Sequence, residues 1–115
     1  MTIAFYGIRN CDTVKKARAW LDEQGIAYDF HDFKAEGVDP ARLMHWIEQV
    51  GWETLLNRRG TTFRKLPDSD KQGIDADKAA ALMTAQPSMI KRPVIEHPGG
   101  ILVGFAADRY AATFC

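Results

Sequence analysis

A chain of 115 residues has room for one domain built on one hydrophobic core. Its 46% hydrophobic and 26% charged residues suit a water-soluble globular fold. Fifteen Lys and Arg balance fifteen Asp and Glu, so no long-range field draws the chain to nucleic acid or to an anionic membrane.

The first segment, Ile3-Ala4-Phe5-Tyr6, is a short apolar run that reads as a strand buried on both faces. It lacks the basic start and cleavage site of a signal peptide, and the longest aliphatic run, residues 79–83, is far too short to span a bilayer. A cytoplasmic location is the expectation. Residues 7–10 break the pattern, and Val14, Ala17 and Leu21 then mark the inner face of a helix that Gly25 ends. Tyr28 and Phe30 alternate with Asp29 and His31 as a second strand. Strand, helix and strand within about thirty residues make a βαβ unit with parallel strands.

Asp39-Pro40 opens a second helix, with Asp39 as its cap and Leu43, Trp46, Ile47 and Val50 as its apolar stripe. A short turn follows Gly51 and leads into the basic stretch Asn57-Arg58-Arg59-Gly60. A third helical pattern covers about residues 75–85, so residues 37–89 read as a helical insertion without strands. Pro93-Val94-Ile95-Glu96 and Ile101-Leu102-Val103 flank the turn Pro98-Gly99-Gly100 as a β-hairpin, and residues 106–114 close the chain as a helix. The order βαβ, helical insertion, ββα predicts a single α/β domain over residues 1–115, with the thioredoxin-like fold and a mixed sheet.

Chemistry concentrates at Cys11. It follows a buried strand and meets the first turn of a helix, where free N–H groups and the positive end of the dipole favour an anion. A thiol so placed has its pKa drawn down from about 8.5, and Arg9 adds to this while Asp12 opposes it. A free cysteine is also a common small core residue, so both readings stand on this evidence. Asn10 is read as a helix cap or anion contact and Thr13 as a donor to an anion, with plain capping the alternative for both. Arg58 and Arg59 have the chemistry to hold an anion, or are simply solvated. Arg92 precedes Pro93 at the start of a strand, where the bond is cis or trans. His31, His45 and His97 are scattered and no Cys or His pair has ligand spacing, so no metal is expected. Cys115, the last residue, reads as incidental.

Three segments in order resemble the arsenate-reductase-like (ArsC/Spx) family, most closely its YffB branch. They are Tyr6-Gly7-Ile8-Arg9-Asn10-Cys11-Asp12-Thr13-Val14-Lys15-Lys16-Ala17, Leu55-Leu56-Asn57-Arg58-Arg59-Gly60-Thr61-Thr62 and Lys91-Arg92-Pro93-Val94. The resemblance implies a thioredoxin-like fold, a cis bond before Pro93, Cys11 as nucleophile and Arg92 as an anion-binding arginine. It also implies two further arginines that do not match here: Asn57 stands at one position, with Arg58 and Arg59 displaced, and Phe105 at the other. A regulator of the Spx kind, binding RNA polymerase or another protein, would carry a Cys-x-x-Cys pair, and Val14 occupies the second place.

These readings converge on a glutathione-dependent thiol reductase. Cys11 would form a mixed disulfide or thiol adduct, Arg92 and one of Arg58 or Arg59 would hold carboxylates, and glutathione would be the co-substrate, with glutaredoxin as a further partner. The protein is expected to act as a monomer with no tightly bound cofactor. The alternatives are a non-catalytic regulator and an arsenate reductase.

Overall fold

The computed structural model describes residues 3–115. In chain order it runs β1 (Ala4–Gly7), α1 (Asp12–Glu23), β2 (Asp29–Asp32), α2 (Phe33–Glu36), α3 (Pro40–Val50) and α4 (Trp52–Leu55). Then come α5 (Thr61–Arg64), α6 (Asp68–Lys71), α7 (Ala76–Ala85), a 3-10 turn (Pro87–Met89), β3 (Val94–His97), β4 (Gly100–Val103) and α8 (Ala107–Phe114). The chain falls into two compact units, Met1–Glu36 with Arg92–Cys115, and Gly37–Lys91.

The first unit holds a four-stranded sheet in the order β2-β1-β3-β4. β1 pairs with β2 in parallel, as a βαβ unit requires, while β1–β3 and β3–β4 are antiparallel. This mixed sheet, with its βαβ and ββα halves, is the thioredoxin-like fold that the element order predicts. Register places Phe30, Phe5, Ile95 and Leu102 in one row across the sheet. Phe5, Ile95 and Leu102 share their core with Val14, Ala17 and Leu21 of α1 and with Tyr110 of α8. β1 is not buried on both faces as its apolar run suggests. Ile3, Phe5 and Gly7 are buried, whereas Ala4 and Tyr6 on the opposite face are half-buried. There Tyr6 stacks on His31 at 4.8 Å.

In the second unit α3 starts as predicted, with Asp39 Oδ1 accepting from the Ala41 N–H at 3.1 Å and Pro40 in the first position. α7 is capped the same way, by Asp75 accepting from the Lys78 N–H at 2.8 Å. Leu43, Trp46, Ile47, Ala79 and Met83 bury their faces. One feature is new relative to a purely helical reading: an isolated antiparallel bridge joins Leu56 and Ile90. The Asn57 N–H donates to Met89 O at 2.8 Å, and the Lys91 N–H to Leu55 O at 2.7 Å. These bonds anchor the segment that carries Arg58 and Arg59. Among the described residues no helix is long and apolar enough to cross a membrane.

Where β1 leaves for α1 the backbone runs close against the helix. A Cβ on Gly7 would stand 2.9 Å and 3.2 Å from the two γ-methyls of Val14 and 3.3 Å from the Phe5 ring. Val14 and Phe5 are fully buried, and a β-branched side chain has no easy rotamer to retreat into. Gly7→Ala should therefore cost roughly 1–3 kcal/mol of stability through overpacking, read as a lower midpoint in urea with an unchanged slope. An unchanged midpoint would mean that α1 shifts away from β1 freely.

Candidate active site

Cys11 occupies the N-cap of α1, with extended backbone angles (φ −128°, ψ 125°), and its carbonyl accepts the first helical bond from the Lys15 N–H at 2.9 Å. This corrects the capping role expected of Asn10. The helical backbone begins at Asp12, so Cys11 rather than Asn10 stands where a cap must stand, and Asn10 is exposed in the preceding turn. No side-chain oxygen caps the helix. The sulfur of Cys11 takes the free N–H groups instead.

Burial is the largest single influence on the thiol and pushes its pKa up. It is outweighed by the backbone N–H of Val14, by the hydrogen bond and charge of the Arg92 side chain, and by the backbone N–H of Thr13, which together hold Cys11 below its ordinary value. Each of these favours the thiolate over the thiol. What Thr13 brings to the sulfur is its main-chain N–H, the smallest of these influences, and not its side chain. Val14 serves twice, its side chain in the core and its N–H at the sulfur.

Arg92 is half-buried, and its Nε is shielded from solvent. The Arg92–Pro93 bond is cis, as the resemblance implies. Arg9, expected to support the thiolate, is engaged elsewhere: its guanidinium lies 5.6 Å over the Phe30 ring and its N–H donates to Asp32 Oδ2. Asp12 is exposed, so water screens the opposition expected from it.

Arg58 and Arg59 belong to the other unit and are both exposed. With Glu53, Leu56, Asn57 and Lys91 they line an open concavity of about 400 Å³. The Arg58 guanidinium lies 5.5 Å over the Trp52 ring, and Asn57 Oδ1 accepts from the Arg59 N–H at 3.2 Å. Three cations around a hollow suit an anion. Cys115 is exposed at the end of α8.

Phe105 packs edge-on against Tyr110, centroids 5.0 Å apart and planes at 86°. Trp20 and Phe114 meet the same ring edge-on at 5.6 and 5.9 Å. Sequence reading passed over Tyr110 itself, which is 1% exposed and donates its hydroxyl to Gly104 O at 2.6 Å. The only signal for it was its place on the inner face of the last helix.

The sequence model of the ArsC family matches residues 6–113. Among solved structures, the YFFB (PA3664) protein is 57% identical and superposes with a TM-score of 0.95, over 98% of this chain and 99% of that one. An uncharacterised protein of Haemophilus influenzae is 41% identical, covering 97% of this chain and 98% of its own. The global transcriptional regulator Spx of Streptococcus mutans is 26% identical, over 90% of this chain and 76% of its own. A thiol held at a helix start by N–H groups and an arginine, on a thioredoxin-like sheet matched almost end to end, places the chain in the ArsC family.

Proposed function

We propose that the protein is a cytoplasmic, glutathione-dependent thiol reductase with Cys11 as its nucleophile. The observation that carries this reading is the set of donors converging on the sulfur: the N–H groups of Val14 and Thr13 and the guanidinium of Arg92. They favour the thiolate over the thiol, and the thiolate is the form that attacks disulfides.

In the proposed cycle the Cys11 thiolate attacks one sulfur of a disulfide. A Cys11–sulfur bond forms, the substrate S–S bond breaks, and one thiolate leaves. A glutathione thiolate then attacks the substrate sulfur of this mixed disulfide. Cys11 departs as thiolate, and the substrate fragment leaves joined to glutathione. The two thiolates produced match the two consumed, so no other reductant enters. A second glutathione in solution reduces that product by the same exchange. Arg92 has the planar fork to receive a glutathione carboxylate beside the sulfur. No second cysteine follows Cys11 at Val14, so the resolving thiol comes from outside and a Cys-x-x-Cys redox switch is missing from this segment.

The test is turnover of glutathione with bis(2-hydroxyethyl) disulfide. A rate proportional to protein concentration, and a 2-hydroxyethylthio adduct on Cys11 trapped by acid quench, are expected. A rate equal to uncatalysed exchange, with no adduct on Cys11, would leave a regulator as the better reading.

A further inference from the structure

We propose that Tyr110 is a positioning residue for Cys11: its hydroxyl fixes, through Gly104 and Pro93, the backbone that presents Arg92 to the sulfur. This rests on the reading of Cys11 as the nucleophile.

The chain of contacts lies within one unit. Tyr110, in α8, donates to the Gly104 carbonyl at 2.6 Å, a short bond of the kind a buried phenol must make. Gly104 has φ +81°, backbone that a side chain would strain, and its N–H donates to the Pro93 carbonyl at 2.8 Å. Proline has no N–H, so that carbonyl is the one backbone group by which Pro93 is held through hydrogen bonding. The last ladder pair on this side is Val94 with Val103. The Gly104–Pro93 bond extends the ladder one step toward Arg92, and the Tyr110 hydroxyl clamps that step from the other side.

Trp20, Phe105 and Phe114 hold the Tyr110 ring edge-on from three sides. The hydroxyl therefore has little freedom to follow Gly104 if the loop moves. Burial pushes the Tyr110 pKa up, against a small opposing effect of Arg109, so the hydroxyl keeps its proton and stays a donor wherever a thiol is assayed. Arg92 acts on Cys11 through a hydrogen bond as well as through charge. Hydrogen bonds weaken steeply with distance and angle, so a small drift of the Arg92–Pro93 backbone costs more thiolate than a salt contact would.

The experiment is the pH dependence of Cys11 alkylation by iodoacetamide, with melting temperature measured alongside, and Cys115→Ser as background so that one thiol reports. Tyr110→Phe keeps the ring and removes the donor. It should slow alkylation at pH 7 about threefold or more and move the inflection upward. In an Arg92→Ala background the same substitution should add almost nothing, because the route through Arg92 is gone. Phe114→Leu loosens the same cluster with the hydroxyl bond intact, and should lower the melting temperature without moving the inflection.

An unmoved inflection in Tyr110→Phe overturns the proposal, as does a shift that persists in full without Arg92 or one that Phe114→Leu reproduces. Failure of the underlying reading looks different. There the parent protein itself would show an inflection at or above the free-thiol value of about 8.5.

Discussion

Cys11→Ser should reduce turnover with glutathione and a small disulfide to the rate of uncatalysed exchange, and Arg92→Ala should leave only a fraction of it. A serine hydroxyl in the same place is not ionised near neutral pH and forms no disulfide, so the first loss is complete. Arg92 supplies both a hydrogen bond and a charge to the sulfur. A hydrogen bond to a charged group is worth about 1.5–3 kcal/mol. Cys11 is only partly buried, so solvent screening puts the loss at the lower end of that range, roughly tenfold in rate at pH 7. Arg92→Lys should recover part of it, since an ammonium keeps the charge without the planar fork.

The alkylation inflection should lie below about 8.5 in the wild type and move upward in Arg92→Ala. Stability should follow the same titration. A thiol whose folded pKa is depressed adds stability that is present above its unfolded value and lost as pH falls through the folded value. In the window between the two, wild-type stability should rise with pH, and in Cys11→Ser that rise should disappear. A wild-type inflection at the free-thiol value, with Arg92→Ala fully active, would remove Arg92 from the site.

How much of this was legible depends on whether the signal was local. The helix start at Pro40 was readable because Asp39 writes its cap into the adjacent residues. The third helical pattern places its helix only at about residues 75–85, and the Asp75 cap emerges from the structure. The place of Cys11 at a helix start was readable because an apolar run, a break and an amphipathic helix flank it. Those residues alone left open a reactive thiol or a small core residue. Which residue caps that helix was not readable, since Asn10 is the better capper by type and only the backbone angles show Cys11 in the role. The donation from Val14 was hidden for the same reason, because a main-chain N–H leaves no mark on side-chain chemistry. The four-residue helices at 52–55, 61–64 and 68–71 are single turns, too short to develop a period. The bridge from Leu56 to Ile90 and the clamp from Tyr110 through Gly104 to Pro93 are both non-local. Arg92 was singled out by its place before Pro93 and by resemblance, and its contact with Cys11 became visible only in three dimensions.

Wild-type protein should reduce arsenate poorly or not at all, even with glutaredoxin and glutathione supplied, and Phe105→Arg should raise that activity. The resemblance to arsenate reductases implies an arginine where Phe105 stands, and a small oxyanion has few partners to lose. A tripeptide thiol has more, so glutathione turnover should change less in the same variant. Phe105 is half-buried and its ring meets Tyr110 edge-on at 5.0 Å, a pair worth about 0.5–1.5 kcal/mol. The variant should therefore melt lower, although partial exposure lets the guanidinium reach water while its stem covers Tyr110.

The substitution also sits next to Gly104, whose bonds to Pro93 and Tyr110 steady the Arg92 backbone. The alkylation inflection must be measured in the variant to separate a gain of anion affinity from a disturbed thiolate. Raised arsenate turnover with the inflection unmoved is the expected result. Vigorous arsenate reduction by the wild type would mean that Phe105 does not occupy the place of the missing arginine, and the function would then be that of an arsenate reductase.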